Sequence, residues 1–169
     1  GISFYTFQSL SYTFDVYKGK DKAEHHFGYV ALYVSYFPQL VAGPIERASN
    51  LLPQMMTMRT FDVGMASDGC RQILWGAFKK MVIADNLAAF VELAFANPQN
   101  YSGARLLIAT VFFAFQIYCD FSGYSDIAIG LAKTFRIKLM RNFALPYFSQ
   151  SMDEFWRRWH ISLSTWFRD

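Results

Sequence analysis

The stretch that decides the fold is ARLLIATVFFAFQIYCDFSGYSDIAIGLA, residues 104–132. It exceeds the roughly 20 predominantly apolar residues that a membrane-spanning helix needs, so we expect it to cross a bilayer as one helix. Asp120 and Asp126 lie inside it, and a carboxylate is costly in a membrane unless it faces protein or water. The same half of the segment is rich in small residues that let a second helix approach closely, namely Gly123, Ser125, Ala128, Gly130 and Ala132.

The composition of the whole chain also favours a membrane environment. Of 169 residues, 53% are hydrophobic, 19% aromatic and only 17% charged, which excludes disorder and suits a surface that meets lipid. The net charge of +3 is too small to indicate a nucleic-acid partner. The two cysteines, Cys70 and Cys119, fit neither a disulfide framework nor a metal-binding spacing, so we expect both to be reduced and packed, with no metal site.

The ends of the chain indicate a part of a longer protein. The chain begins at Gly1 within an apolar run, without an initiator methionine or a signal pattern, and stops at Asp169 directly after an aromatic segment. We therefore expect residues 1–169 to be a single fragment of one membrane domain.

A second apolar segment, residues 27–45, carries no Asp, Glu, Lys or Arg. Pro38, Gly43 and Pro44 interrupt it, and each proline removes a backbone donor and disfavours helix at the preceding residue. The pattern predicts a broken or re-entrant segment, which at membrane depth must be covered by protein or line a water-filled cavity. An ordinary kinked helix is the alternative.

The remaining segments have simpler patterns. Residues 2–16 are typical of the end of a spanning helix, residues 50–69 of a loop, residues 70–95 of a helix with one polar face, and residues 97–103 of a short turn. We expect Lys79 and Lys80 to extend towards the membrane edge rather than to bind acidic groups or a phosphate-bearing ligand. His25 and His26 lie in a charged loop, where we expect them to be solvated.

Loop charges predict a topology. Residues 18–22 and 133–141 are basic, whereas residues 97–103 are uncharged. Since cytoplasmic loops carry an excess of Lys and Arg, we place the two basic loops in the cytoplasm and the neutral turn outside.

The C-terminal stretch SMDEFWRRWHISLSTWFRD, residues 151–169, holds the residues best suited to chemistry. Ser151 and Glu154 have the spacing of a capping box, so we expect one helix to begin here and to run through the stretch. Arg157, His160 and Ser164 then follow i, i+3, i+7 and point into one site. Spacing alone leaves two interpretations open: an amphipathic helix at the membrane interface, or a site in which His160 is a general base beside cationic side chains.

Asp120 and Asp126 also have two interpretations. They accept hydrogen bonds that lock a helix bundle, or they carry protons through a proton-coupled transporter.

Four blocks together resemble the membrane-bound O-acyltransferase (MBOAT) family, and in particular its bacterial branch of alginate O-acetylation and teichoic acid D-alanylation proteins. They follow the order of the family and span almost the whole chain: FPQLVAGPIERAS (37–49), GAFKKMVIADNLA (76–88), QIYCDFSGYSDIAIGLAK (116–133) and FWRRWHISLSTWFRD (155–169). The resemblance implies an all-α, polytopic fold in the bacterial inner membrane, built around a funnel of which this chain is an incomplete part, with re-entrant and amphipathic segments.

The resemblance also implies roles for individual residues. His160 matches the histidine of the WxxWH-type motif of the family, with Arg157 and Arg158 offsetting negative charge. Ser164, which the spacing places in the same site, is expected to contact substrate. The funnel would be held by the two acids and the broken segment, that is Asp120, Asp126, Pro38, Gly43 and Pro44. A second family histidine would lie beyond Asp169, and Arg136 stands where this branch prefers glycine.

The activity implied is the transfer of an acetyl group from a cytoplasmic thioester, acetyl-CoA, with no bound cofactor. The acceptor would be a hydroxyl of an exported polysaccharide such as alginate, or a periplasmic polysaccharide acetylation protein, and the lipid bilayer would be the other partner. A proton-coupled transporter is the alternative, and a membrane scaffold without catalysis is a third possibility.

Overall fold

The computed structural model describes residues 2–40 and 43–168, and all regular structure in these ranges is helical. The helices are α1 Ile2–Tyr17, α2 Phe27–Ser35, α3 Ala48–Met56, α4 Val63–Ala77, α5 Asp85–Ala96, α6 Gly103–Thr134, α7 Met152–Arg158 and α8 Ile161–Arg168. A π-helical stretch, Phe78–Ala84, joins α4 to α5 without a break, and short 3-10 turns occupy Phe37–Gln39, Pro98–Asn100 and Pro146–Phe148. The all-α prediction is therefore confirmed.

Helix α6 is the framework of the chain. Among the described residues it is the one helix that is long and apolar enough to cross a membrane, and its 32 residues give a length of about 48 Å. Several of its apolar side chains, such as Leu107 and Val111, are exposed, as expected of a lipid-facing surface. The prediction of a spanning helix at residues 104–132 agrees with these bounds, whereas the prediction of several spans stays a prediction.

Helices α4 and α6 run antiparallel and touch through glycines. A Cβ at Gly76 would lie 2.5 Å from the carbonyl oxygen of Gly123, and a Cβ at Gly69 would lie 2.5 Å from that of Gly130. Both distances are shorter than any real Cβ contact, so the two backbones meet directly at two levels, seven residues apart on each helix. The prediction that small residues of α6 admit a neighbouring helix is confirmed.

The second apolar segment is broken, as the sequence predicts. Helix α2 ends at Ser35, the 3-10 turn with Pro38 follows, and the backbone from Gly43 to Arg47 is not helical. A Cβ at Gly43 would lie 2.5 Å from the Cα of Gln39, so this bend requires glycine. Residues 41 and 42 lie outside the described residues, and the re-entrant position of the segment in a membrane stays a prediction.

The predicted loop over residues 50–69 is wrong. Helix α3 covers Ala48–Met56, and α4 begins at Val63. Helix α3 forms because Leu51 and Leu52 are buried in a core with Tyr33, a contact that the local sequence does not show. Asp62 starts α4 by accepting a hydrogen bond from the backbone N–H of Met65 at 2.9 Å.

Three smaller predictions have mixed outcomes. His25 and His26 are exposed, as expected. Both cysteines are free thiols; Cys119 is buried as expected, but Cys70 is exposed, so its predicted packing is wrong. The short turn predicted at residues 97–103 is confirmed by the 3-10 turn Pro98–Asn100 between α5 and α6.

Candidate functional site

The prediction of one helix through residues 151–169 is half right. The helix begins as predicted, since the hydroxyl of the N-cap residue Ser151 accepts from Glu154 N–H at 3.1 Å. The return bond of the capping box is shifted by one residue: the Glu154 carboxylate accepts from Gln150 N–H at 2.7 Å. The helix then stops at Arg158, and α8 starts at Ile161. Between them Trp159 is extended and His160 has a left-handed backbone, with φ of 44°.

Tertiary backbone hydrogen bonds cause this break. The N–H of Ala144 donates to the carbonyl of Arg158 at 2.9 Å, and the N–H of Ile161 donates to the carbonyl of Asn142 at 2.9 Å. The carbonyl of Arg158 and the N–H of Ile161 are thereby paired with the segment that follows α6 instead of with their own helix. His160 is held between these two anchor points, and its carbonyl accepts the N–H of Ser164 at 3.0 Å as α8 begins.

The imidazole of His160 packs on an aromatic wall and faces a groove. Its ring stands edge-on to Phe121 of α6, with ring centroids 4.7 Å apart, and Phe121 packs in turn on Phe143, which packs on Trp159. The groove has a volume of about 340 Å³, and its lining is largely apolar: Trp156, His160, Leu163, Ser164 and Phe167. The Ser164 hydroxyl donates to the carbonyl of Trp156 at 2.7 Å, which leaves its oxygen lone pairs to accept from a ligand.

Burial sets the charge of this histidine. Loss of hydration lowers the pKa of His160 from 6.5 to about 4, because a charged imidazolium is disfavoured away from water. At neutral pH the ring is therefore uncharged, which is the form in which an imidazole acts as a general base.

The predicted convergence of Arg157 with His160 and Ser164 is wrong. His160 and Ser164 do share the groove, but the break before His160 removes the helical register that would have placed Arg157 beside them. Arg157 instead pairs with Asp153 at 2.8 Å on an exposed surface, and Arg158 pairs with Glu154. Their binding of substrate charge stays a prediction.

A second polar cluster lies between the π-helical stretch and α6. The ammonium of Lys79 donates to the carboxylate of Asp126 and to the hydroxyl of Ser122, the latter at 2.9 Å, and Gln72 donates to the other oxygen of Asp126 at 2.9 Å. Lys79 is 7% exposed, so the prediction that it extends to the membrane edge is wrong.

Lys80, the next residue, pairs with the other acid of α6. It pairs with Asp120 at 2.6 Å and with Asp85 at 2.7 Å, so it too binds acidic groups instead of simply reaching the membrane edge. Both acids of α6 are thus partnered by lysines. The π-helical stretch explains how consecutive lysines reach the same helix, since such a stretch widens the helix and redirects its side chains.

The Lys79 cluster borders two adjoining cavities. One of about 240 Å³ has a polar lining that includes Lys79, Asp126, Arg141 and Asn142. The other, of about 510 Å³, is lined mainly by apolar side chains such as Phe115 and Tyr147. Among the residues the structure describes, no three His, Cys, Asp or Glu side chains are grouped as metal ligands.

Comparison with known proteins identifies the family. Residues 20–169 match the family model of the membrane-bound O-acyltransferases. The chain belongs to the MBOAT family. It is 49% identical over its whole length to the probable alginate O-acetylase AlgI of Pseudomonas aeruginosa, of which it covers 32%.

Two further relatives act on other polymers by name. The chain is 35% identical to the peptidoglycan O-acetyltransferase of Helicobacter pylori, with 99% of the chain and 37% of that protein covered. It is 29% identical to the teichoic acid D-alanyltransferase of Streptococcus thermophilus, with 100% of the chain and 42% of that protein covered. The chain thus spans about a third of the length of the curated alginate O-acetylases it matches.

In this MBOAT chain, sequence reasoning missed two buried polar residues. Glu46, 1% exposed, accepts from the backbone N–H of Met140 and from the amide of Asn50, the latter at 2.6 Å. Asn142, also 1% exposed, contacts both α6 and α8. The signal available for Glu46 was a lone acid directly after the uncharged segment 27–45. Asn142 gave no signal, because an asparagine in a basic loop is typical of a turn.

Proposed function

We propose that the protein containing this chain is a multi-pass O-acetyltransferase of the bacterial inner membrane. It moves an acetyl group from acetyl-CoA on the cytoplasmic side to a hydroxyl of an exported polysaccharide such as alginate, or to a periplasmic acetylation protein that passes it on. Family membership supports acyl transfer, and the names of the alginate and peptidoglycan relatives support acetyl as the acyl group.

The observation that carries the proposal is the uncharged imidazole of His160 in the groove it shares with Ser164. In the proposed step, the acceptor hydroxyl gives its proton to the imidazole while its oxygen attacks the thioester carbonyl. The carbon–sulfur bond then breaks, and the imidazolium returns the proton to the departing thiolate. The products are an O-acetyl ester and the free thiol of CoA, so atoms and charge balance.

Other predicted residues take supporting parts in this proposal. Ser164 accepts a hydrogen bond from the acceptor or donor in the groove, and Arg157 and Arg158 offset the phosphate charge of CoA from the outer face of α7. Asp120, Asp126, Pro38, Gly43 and Pro44 shape the framework of the funnel. The ion pairs of the two acids favour this structural part over proton transport, because each carboxylate is neutralised by a lysine.

The test uses cells that make the full-length protein. Acetyl released by mild alkali from exported polysaccharide is compared between wild type and His160→Ala at equal membrane abundance, with His26→Ala as a control because His26 is exposed in a distant loop. We expect acetyl to disappear only in His160→Ala, with polymer yield unchanged. Normal acetylation in His160→Ala contradicts the proposal, and loss of polymer export with Asp126→Asn would favour the transporter alternative.

A further inference from the structure

The segment after α6 holds the turn of His160 by more than backbone contacts. Its two backbone bonds to Arg158 and Ile161 fix the turn on either side of His160. One of these anchor points is Asn142 itself, whose carbonyl accepts from Ile161 N–H and whose side chain is among the most deeply buried polar groups described, at 1% exposure. A buried amide is costly unless its donors and acceptors are used, so its partners show what it holds together.

The Asn142 side chain connects α8 to α6. Its carbonyl oxygen accepts from the hydroxyl of Ser162 at 2.6 Å and from the backbone N–H of Ser162 at 3.3 Å. Its amide nitrogen donates to the hydroxyl of Ser125 on α6 at 3.2 Å. Ser162, 2% exposed, lies in the first turn of α8, two residues after His160.

These contacts matter because the backbone of the turn at His160 is not in its conformation of lowest local energy. A left-handed backbone is unfavourable for a side chain such as histidine, and the residues around His160 otherwise favour one continuous helix. A continuous helix would bring back the register in which His160 lies on the Arg157 face and would move the imidazole away from its contact with Phe121. The asparagine bonds oppose this relaxation, since they fix the first turn of α8 to α6, the helix that also carries Phe121.

We infer that Asn142 is a positioning residue for acyl transfer, which sets the place of the His160 imidazole by clamping the first turn of α8 to Ser125 of α6. The inference rests on the proposed function. A positioning residue acts on the rate of the chemical step, because a displacement of about 1 Å of a reacting group reduces the rate by as much as 100-fold. Substrate affinity changes little, since Asn142 does not line the groove of His160.

The experiment measures acetyl transfer by the full-length protein in membrane vesicles, with acetyl-CoA as donor and rates divided by protein amount. For Asn142→Ala we expect kcat to fall about 10- to 100-fold while KM for acetyl-CoA changes less than about threefold. The conservative variant Asn142→Asp keeps an acceptor for Ser162 but replaces the amide that donates to Ser125 by a charged oxygen that can only accept, so its kcat should lie between those of Asn142→Ala and wild type.

Gln54→Ala is the matched control. Gln54 is another side-chain amide that clamps the segment after α6, with bonds to both backbone groups of Lys138 at 3.0 and 2.9 Å, but Lys138 precedes the part of the segment that bonds to the residues around His160. A role in folding alone predicts lower protein amount for both variants and an unchanged kcat per molecule. Positioning predicts a lower kcat for Asn142→Ala only.

The outcomes separate the two proposals. If His160→Ala is inactive and Asn142→Ala keeps the kcat of wild type, the inference is overturned and the proposed function stands. If His160→Ala transfers acetyl normally, the proposed function fails and the inference with it. Should Asn142→Ala fail to accumulate, Ser162→Ala decides: it removes the shortest bond of the clamp, and a kcat equal to that of wild type refutes the inference.

Discussion

The contact between α4 and α6 gives a prediction with a control in the same helix. A Cβ at Gly130 would lie 2.5 Å from the carbonyl oxygen of Gly69, whereas ordinary contacts begin near 3.4 Å, so Gly130→Ala must push the helices about 1 Å apart. Such overpacking costs about 1–3 kcal/mol, and alanine recovers about 0.5–1 kcal/mol of helix propensity. We expect a net loss of about 0–2.5 kcal/mol of unfolding free energy, centred at about 1 kcal/mol.

The assay is thermal unfolding of the full-length protein in detergent. Gly103→Ala is the control, since nothing lies within 4 Å of a Cβ at that position at the start of α6; its midpoint should equal that of wild type or exceed it slightly. Gly130→Ala should unfold at a lower temperature than wild type. Gly69→Ala should lower the midpoint less in the Gly130→Ala protein than in wild type, because the helices are already apart. Equal midpoints for Gly130→Ala and Gly103→Ala would refute direct backbone contact.

Three other predictions follow from single sites. Because burial lowers the pKa of His160 to about 4, kcat/KM for acetyl transfer should stay level as pH falls through 6.5 and decline only near pH 4. A half-point at pH 6.5 would contradict the burial. Protein stability should lose nothing from His160 above pH 6.5 and should fall as pH drops from 6.5 towards 4, because the histidine of the unfolded state protonates first. Lys79→Met leaves the Asp126 carboxylate without its cation and should destabilise the protein by about 3 kcal/mol. The double variant Lys79→Met, Asp126→Leu should recover most of this loss, because it removes the unpaired charge. A double variant no more stable than Lys79→Met in a urea titration would show that the ion pair is not the cause. Arg136 has a left-handed backbone with φ of 60°, so Arg136→Gly should raise the unfolding midpoint. The relieved strain is worth about 1 kcal/mol of unfolding free energy, from which the lost, exposed hydrogen bond to Thr60 is subtracted. A lower midpoint would show that the bond to Thr60 outweighs the strain.

Local sequence predicts the parts of this fold that local forces determine. The apolar length of α6, the N-cap at Ser151, and the break at Pro38 all follow from chain length, side-chain capping or the missing proline donor, and the structure contains each. The sequence also contains the signal for the contact between α4 and α6, which is a pair of glycines seven residues apart in each helix. The small residues of α6 predict such a contact, but they do not identify α4 as the partner.

The missed features depend on partners distant in sequence. Helix α3 forms where a loop was expected because Leu51 packs on Tyr33. Lys79 is buried because Asp126, 47 residues away, neutralises it. The break before His160 comes from hydrogen bonds to the segment after α6, whereas the local pattern there favours helix. The candidate histidine was thus identified from its motif, but its orientation was not.

The backbone of the described residues shows where these long-range contacts oppose local preference. Three non-glycine residues there have a left-handed backbone: Arg136 at the end of α6, Leu145 before Pro146, and His160. Each such conformation costs about 1–2 kcal/mol, and all three lie at the bends of the stretch that leads from α6 to the groove. Hydrogen bonds of Asn142, and the one between Ala144 and Arg158, offset this backbone strain. Glycine at position 160 would adopt this backbone without strain, but it has no imidazole. A strained histidine at this position is therefore expected if its side chain has a chemical role.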